Sequence, residues 1–305
     1  MLVIIDDTIN NTYIVFIIIY HKSYLKGDFM LKFGTAGIPI NVKPRTTLEA
    51  FNFLKKIELS AMEIEFVRRI NITEEKAEEL KNHSNNLILS VHCPYYINLN
   101  AKEQEKIESS IKRITDSAKI LSIFGKINPK NKNVVFHPGY YLKMDKDIVY
   151  KTMINNIKRI IDYLEENKIN AMIRPETTGK ITQFGSIEEL ISISEELNIL
   201  PCIDFSHIYA RSLGKINDYN SFYSIMENVE NKLGKRAIRD IHAHISGIEY
   251  GKGGEKNHLP LDNSEFKYKE VLKVLKDFNV SGTVICESPK MEYDTLILKR
   301  IYEEI

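Results

Sequence analysis

Six of the eight histidines, His92, His137, His207, His242, His244 and His258, lie at or near the ends of short apolar runs. Glu176, Asp204 and Glu287 occupy matching places in other runs. Imidazole suits zinc, copper, iron or nickel, while carboxylates suit harder ions and bridge pairs of metals. A single histidine in a strand is more often a satisfied core residue, and a lone acid at a strand end is more often a helix cap or an ion-pair partner. Many such groups gathered at one end of a fold are different, because each buried charge without a partner is expensive. The pattern therefore implies a metal-dependent enzyme.

Such groups need a scaffold that converges them. Eight apolar, β-branched segments read as strands: 31–37, 61–66, 87–94, 133–139, 171–178, 200–207, 238–246 and 282–289. Their apolar runs are nearly continuous, as in parallel strands covered on both faces. Amphipathic stretches at helical spacing separate them, over 46–57, 73–82, 102–124, 145–167, 186–197, 218–232, 265–279 and 291–304. Thr46, Thr73 and Ser186 stand where N-caps belong, and Ser186 with Glu189 forms a capping box. Eight strand–helix units in order predict a (β/α)8 TIM barrel with a parallel eight-stranded core. A doubly wound open sheet is the alternative, but FGTAGIP lacks the G-x-G-x-x-G phosphate turn and no Walker loop is present.

On a barrel, His92 ends the third strand, His137 the fourth, Glu176 the fifth and Asp204 the sixth, with His207 one turn beyond. His242 and His244 share the seventh strand, His258 follows it, and Glu287 ends the eighth. All lie at carboxyl ends, where barrel enzymes place their chemistry. His242 and His244 are two apart and so share a face. Pro94, Pro138, Pro175 and Pro289 lie beside these positions and suit strands that break into rigid loops.

Bulk properties fit a globular enzyme. The chain has 305 residues, 43% hydrophobic and 27% charged, so it needs no disulfide to hold a core. A net charge of +1 neither demands nor excludes nucleic acid. Cys93, Cys202 and Cys286 are an odd set without C-x-x-C spacing, which favours a reducing cytoplasm and buried thiols. The run Ile14–Tyr20 is too short for a membrane span and lacks the flanks of a signal peptide, so no membrane association is expected. Residues 1–29 read as an N-terminal extension, either outside the native domain or packed on its exterior, and 30–305 as a single barrel domain.

HCPYYINL (92–99), VVFHPG (134–139), RPETTGK (174–180), CIDFSH (202–207) and ICESP (285–289) together resemble the endonuclease IV family. These are the metal-dependent apurinic/apyrimidinic endonucleases of the xylose-isomerase-like barrel superfamily, and the resemblance spans roughly 31–305. It implies a DNA-repair hydrolase that cuts the backbone of double-stranded DNA at abasic sites with a metal-activated water. The cofactor implied is Zn2+, two or three ions, with Mn2+ as the alternative. His92 and His137 would hold one ion, and the catalytic Glu176 would bridge to a second held by Asp204, His244 and Glu287. A third would take His207 and His258. Tyr95 and Tyr96 would contact DNA as a minor-groove wedge, with plain loop packing as the alternative. Arg68, Arg69, Lys252 and Lys256 are candidates for phosphate contact or simply a solvated surface. The resemblance also implies a monomer.

Two features depart from the family pattern. The third ion's aspartate, two residues before the loop histidine, is here Lys256; either Glu255 reaches instead or Asn257 alters the geometry. The loop after strand seven also reads HISGIEYGKGG rather than continuing with asparagine and aspartate. His242 is the fallback ligand, otherwise a core or supporting histidine. A sugar isomerase or epimerase of the same superfamily and a non-catalytic relative stay open as other functions.

Overall fold

The apolar segments pair edge to edge in the computed structural model, which describes residues 31–305. The reading of residues 1–29 as an extension lies outside the described residues. Twelve strands form among the described residues: β1 (Leu31–Ala36), β2 (Ala61–Glu65), β3 (Ile88–His92), β4 (Asn133–Phe136), β5 (Gly139–Tyr140), β6 (Met172–Pro175), β7 (Gln183–Phe184), β8 (Ile203–Asp204), β9 (Ile241–Ile245), β10 (Gly247–Gly251), β11 (Gly254–Leu259) and β12 (Gly282–Cys286). Eight of them make one sheet in the order β6-β4-β3-β2-β1-β12-β9-β8, every pair parallel. A parallel bridge between Glu176 and Cys202 joins β6 to the start of β8, so the two edges of the sheet meet. This is the predicted TIM barrel.

The eight expected helices are present, and two short ones, Phe205–Arg211 and Lys235–Arg239, were not expected. Thr46 and Thr73 accept the amide hydrogens of Glu49 and Lys76, and the Ser186–Glu189 capping box is complete. Such caps satisfy donors that the first helical turn leaves free. The long helices Gln104–Gly125 and Lys146–Glu166 bury Ile114, Leu121, Met153 and Ile160 against the sheet. All three cysteines are free and buried. Among the described residues no helix is long and apolar enough to cross a membrane.

The barrel interior is polar along one line. Arg174, 1% exposed, donates to Asn133 Oδ1 at 2.7 Å and to the Asp240 carbonyl at 2.9 Å, and pairs with the Asp240 carboxylate. Asn133 Nδ2 lies 3.2 Å from His242 Nδ1, which starts the chain of polar groups leading up to the carboxyl-terminal rim. Two features were not legible as strands and helices. The sixth strand is short, because Pro201 lacks an amide hydrogen and a helix, Phe205–Arg211, starts at once. The segment after the seventh strand is an antiparallel hairpin, β10–β11, so His258 sits on a strand of that hairpin and not in an open loop.

Candidate metal centre

The D-x-x-H spacing is explained by a helix cap. Asp204 is the N-cap of the helix Phe205–Arg211, and its Oδ1 accepts the amide hydrogen of His207 at 2.7 Å. Three residues later is where an N-cap side chain finds its donor. The second oxygen, Oδ2, is buried and has no hydrogen-bond partner among the described residues. Thr177 clamps this corner: its hydroxyl accepts from Asp204 N at 2.8 Å and donates to Asp204 O at 3.1 Å. Its carbonyl accepts from His207 Nδ1 at 2.9 Å, which leaves the His207 Nε2 lone pair facing the rim.

Glu176 is the hub. It is fully buried, and its two oxygens face different partners. Oε2 lies 2.8 Å from His137 Nε2 and 3.0 Å from His92 Nε2. Oε1 lies 3.2 Å from His244 Nδ1 and 3.3 Å from His207 Nδ1. His92 Nδ1 is bonded to the Cys93 carbonyl at 3.0 Å, so Nε2 is the free donor atom. The donor atoms converge in sets: His92, His137 and Glu176; then Glu176, Asp204, His244 and Glu287; then Asp204, His207, His258 and Glu287. Every metal ligand that the family resemblance implied is brought to this rim, and Glu176 belongs to the first two sets.

Two carboxylates escaped the sequence reading. Glu63 and Glu65 alternate along β2 and point into the barrel mouth. Glu63 Oε2 lies 2.9 Å from His242 Nε2, and Oε1 lies 3.0 Å from His244 Nε2. That contact leaves His244 Nδ1 to face Glu176 and Glu287. A carboxylate behind a ligating histidine fixes its tautomer and ring orientation. His242 spends both nitrogens inside the barrel, on Glu63 and on Thr283 Oγ1 at 2.6 Å, so it supports the centre instead of facing it. Glu63, Glu65 and Glu287 form a further acidic set. The available signal was the pair of acids two apart in an otherwise apolar strand.

The electrostatics are those of a site that wants cations. Burial opposes the charge on Glu176, but His137 and His244 hold its carboxyl well below the usual range. His244 does the same for Glu63 and Glu287 against the cost of burial. Burial pushes Asp204 up to about 7, despite His207 beside it, and pushes Glu65 up to about 8. His92 is raised to about 10, because the Glu176 bond and the Glu65 field outweigh burial. His207 and His244 are raised as well, chiefly against burial, by Asp204 and by Cys202 and Glu287 respectively. Burial lowers His242. Protons on these imidazoles occupy lone pairs that a metal ion would take.

The fit to divalent ions rests on the spacing of the donor atoms. His207 Nε2 and His258 Nε2 lie 3.3 Å apart. His258 Nδ1 is turned to the Glu287 carbonyl at 3.2 Å, as His207 Nδ1 is turned to Thr177. The two Nε2 atoms therefore face one another, sharing one proton in the metal-free site or, once it is lost, one cation. Ligands about 2.0–2.2 Å from one ion in a tetrahedron stand about 3.3–3.6 Å apart. The buried, unpartnered Asp204 Oδ2 and Glu287 Oε2 point the same way.

At the rim, Tyr95 and Tyr96 are 73% and 65% exposed, three and four residues past His92. Arg68, Arg69 and Lys252 are exposed near strand ends. Lys256 is turned outward and paired with Glu249 at 2.9 Å, away from the donors.

The fold and the rim define a (β/α)8 barrel with a carboxylate- and histidine-rich centre at the carboxyl ends of its strands. Residues 51–304 match the Xylose isomerase-like TIM barrel family, and the chain belongs to it. An uncharacterized protein of Methanocaldococcus jannaschii is 57% identical over 278 residues, covering 91% of this chain and 99% of that protein. Apurinic-apyrimidinic endonuclease 1 of Plasmodium berghei is 28% identical over 301 residues; the match covers 93% of this chain and 55% of that longer protein. Among solved structures, a D-tagatose 3-epimerase-like protein superposes with a TM-score of 0.68 at 19% identity, covering 90% of this chain and 96% of the other. Endonuclease IV from Thermus thermophilus gives 0.65 at 18%, covering 90% and 98%. At these identities the structural likeness speaks for the fold alone.

Proposed function

We propose that the protein is a metal-dependent phosphodiesterase that hydrolyses the DNA backbone at abasic sites. The observation that carries this reading is the division of Glu176 between two donor sets, with a third set beside them. A carboxylate whose two oxygens face separate histidine groups could belong to two neighbouring ion sites at once. Zinc or manganese held by these sets would supply an activated water and charge neutralisation for an in-line displacement.

The chain's own residues supply the rest. Glu63 orients His244, Thr177 orients His207 and locks Asp204, and the Cys93 carbonyl orients His92. Pre-set donors of this kind lose no freedom when the substrate arrives. Tyr95 and Tyr96, exposed beside this rim, would enter a duplex where a base is missing, the step at which unstacking costs least. The Plasmodium berghei relative, an apurinic-apyrimidinic endonuclease by name, adds support.

A ketose epimerase is the second reading, favoured by the epimerase-like structural neighbour and by Glu65, an acid raised to about 8 at the barrel mouth. The deciding experiment gives zinc- or manganese-loaded protein a duplex with one abasic analogue and, separately, free ketoses. Nicking beside the lesion, abolished by chelation, supports the nuclease. An intact duplex together with epimerised sugar overturns it.

A further inference from the structure

Lys256 occupies the position where the family pattern has a carboxylate ligand, yet the hairpin that carries it is out of regular phase. In β10–β11, Glu249 pairs with Asn257 but Tyr250 pairs with Glu255. Lys256 is therefore the extra residue of a β-bulge. In a regular strand, side chains alternate, so His258 and Lys256 would share a face and Glu255 would point away. One inserted residue resets that alternation. The side-chain contacts follow the reset phase: Lys256 Nζ and Asn257 Nδ2 both reach Glu249 on the outer face, at 2.9 Å and 2.8 Å. Glu255 shares the inner face with His258, and its Oε2 lies 3.5 Å from His207 Nε2.

We propose that Glu255 is the carboxylate ligand of the third ion, delivered by the bulge at Lys256 to join His207 and His258. This inference rests on the metal-centre reading given above. The two separations on His207 Nε2, 3.3 Å to His258 Nε2 and 3.5 Å to Glu255 Oε2, both match the edge of a tetrahedral site of about 3.3–3.6 Å. In the metal-free site a proton on His207 Nε2 holds both partners, and an ion there would take that proton's place. Glu255 and His258 thus both approach the one nitrogen, His207 Nε2, and Glu255 adds a negative charge there.

The position of Glu255 is built, not incidental. Its amide hydrogen is donated to the Gly179 carbonyl at 2.9 Å, and Lys180 bridges to Gly254. A Cβ on Gly179 would lie 2.5 Å from Glu255 Cβ and 2.6 Å from Glu255 Oε2. A Cβ on Gly254, whose φ is +90°, would lie 2.2 Å from the Gly179 carbonyl oxygen. The two glycines thus let the hairpin press onto the loop that follows Glu176. The glycine of RPETTGK leaves room for the carboxylate.

The test counts zinc per chain by plasma mass spectrometry after loading and dialysis of the full chain. The wild type is expected to hold three ions, Glu255→Ala two and Lys256→Ala three. Gly179→Ala, which displaces Glu255 without removing it, is expected to hold two. Competition with a chromophoric chelator should show the weakest zinc released roughly 10–100-fold more readily in Glu255→Gln, the loss of one charge-assisted contact. Unchanged melting of the chelated variants shows that each folds. Three ions in both wild type and Glu255→Ala overturn this inference and leave the larger centre intact. Two ions in the wild type also overturn it alone. Fewer than two overturn it together with the metal-centre reading.

Discussion

Replacing Glu176 with glutamine changes one atom and little volume, yet it should disable two donor sets at once. In the native chain Oε2 serves His137 and His92 at 2.8 and 3.0 Å, and Oε1 serves His244 and His207 at 3.2 and 3.3 Å. Glutamine offers one neutral acceptor and one amide nitrogen that only donates. One donor set loses its oxygen outright, and the other exchanges an anion for a dipole. A contact to a charged group contributes about 1.5–3 kcal/mol. Two altered contacts make about 3–6 kcal/mol, or roughly a 10²–10⁴-fold loss at about 1.4 kcal/mol per tenfold. The assay is zinc competition against a chelator, paired with the nicking rate on a duplex carrying one abasic analogue. Both should fall together while the far-ultraviolet spectrum stays native. Native zinc affinity and native nicking in Glu176→Gln would refute the bridging geometry.

Four other outcomes follow. Glu63→Gln should weaken metal binding roughly 10–100-fold by freeing His244 and His242; Glu65→Gln, a mimic of an acid that already holds its proton near neutrality, should change it far less, and the reverse order in a chelator titration refutes the assignment. His92 and Glu65 have folded pKa values raised to about 10 and about 8, so their contribution to the metal-free fold is complete below their ordinary values and is lost as pH rises through the raised ones. The chelated protein should therefore melt at lower temperature as pH rises from about 6.5 to about 10, while zinc affinity, which competes with those protons, climbs; calorimetry with and without zinc checks both signs. Tyr95→Ala with Tyr96→Ala should leave stability within about 0.5 kcal/mol, since both rings are exposed, but weaken binding to abasic duplex by roughly 1–3 kcal/mol in a filter or anisotropy titration. Arg174→Ala should destabilise the fold by roughly 1–3 kcal/mol in urea unfolding, because it leaves the buried Asn133 Oδ1 without its donor while the half-exposed Asp240 carboxylate turns to water.

The parts of this molecule that were legible in the sequence are those governed by local rules. Periodicity located the eight barrel strands and their helices, and the capping residues Thr46, Thr73 and Ser186 marked three helix starts. The D-x-x-H pair was visible as a strand end and a family motif, whereas its role as a helix cap appears only in the structure. What escaped depends on longer-range fit. Glu63 and Glu65 carry the residue type of a solvated face, and only closure of the sheet turns them inward against His242 and His244. The β10–β11 hairpin is rich in glycine and polar residues, so its strand signal is weak. Its bulge, which turns Lys256 out and Glu255 in, is a matter of pairing register that no single segment encodes.

The central claim is that these histidines and acids share divalent ions instead of merely pairing with one another. Anomalous scattering at the zinc edge from crystals of the loaded full chain tests it most directly. One peak is expected among His92 Nε2, His137 Nε2 and Glu176, and a second among Glu176, Asp204, His244 Nδ1 and Glu287. A map with no peak at that rim, and the histidines still hydrogen-bonded to Glu176, would contradict it.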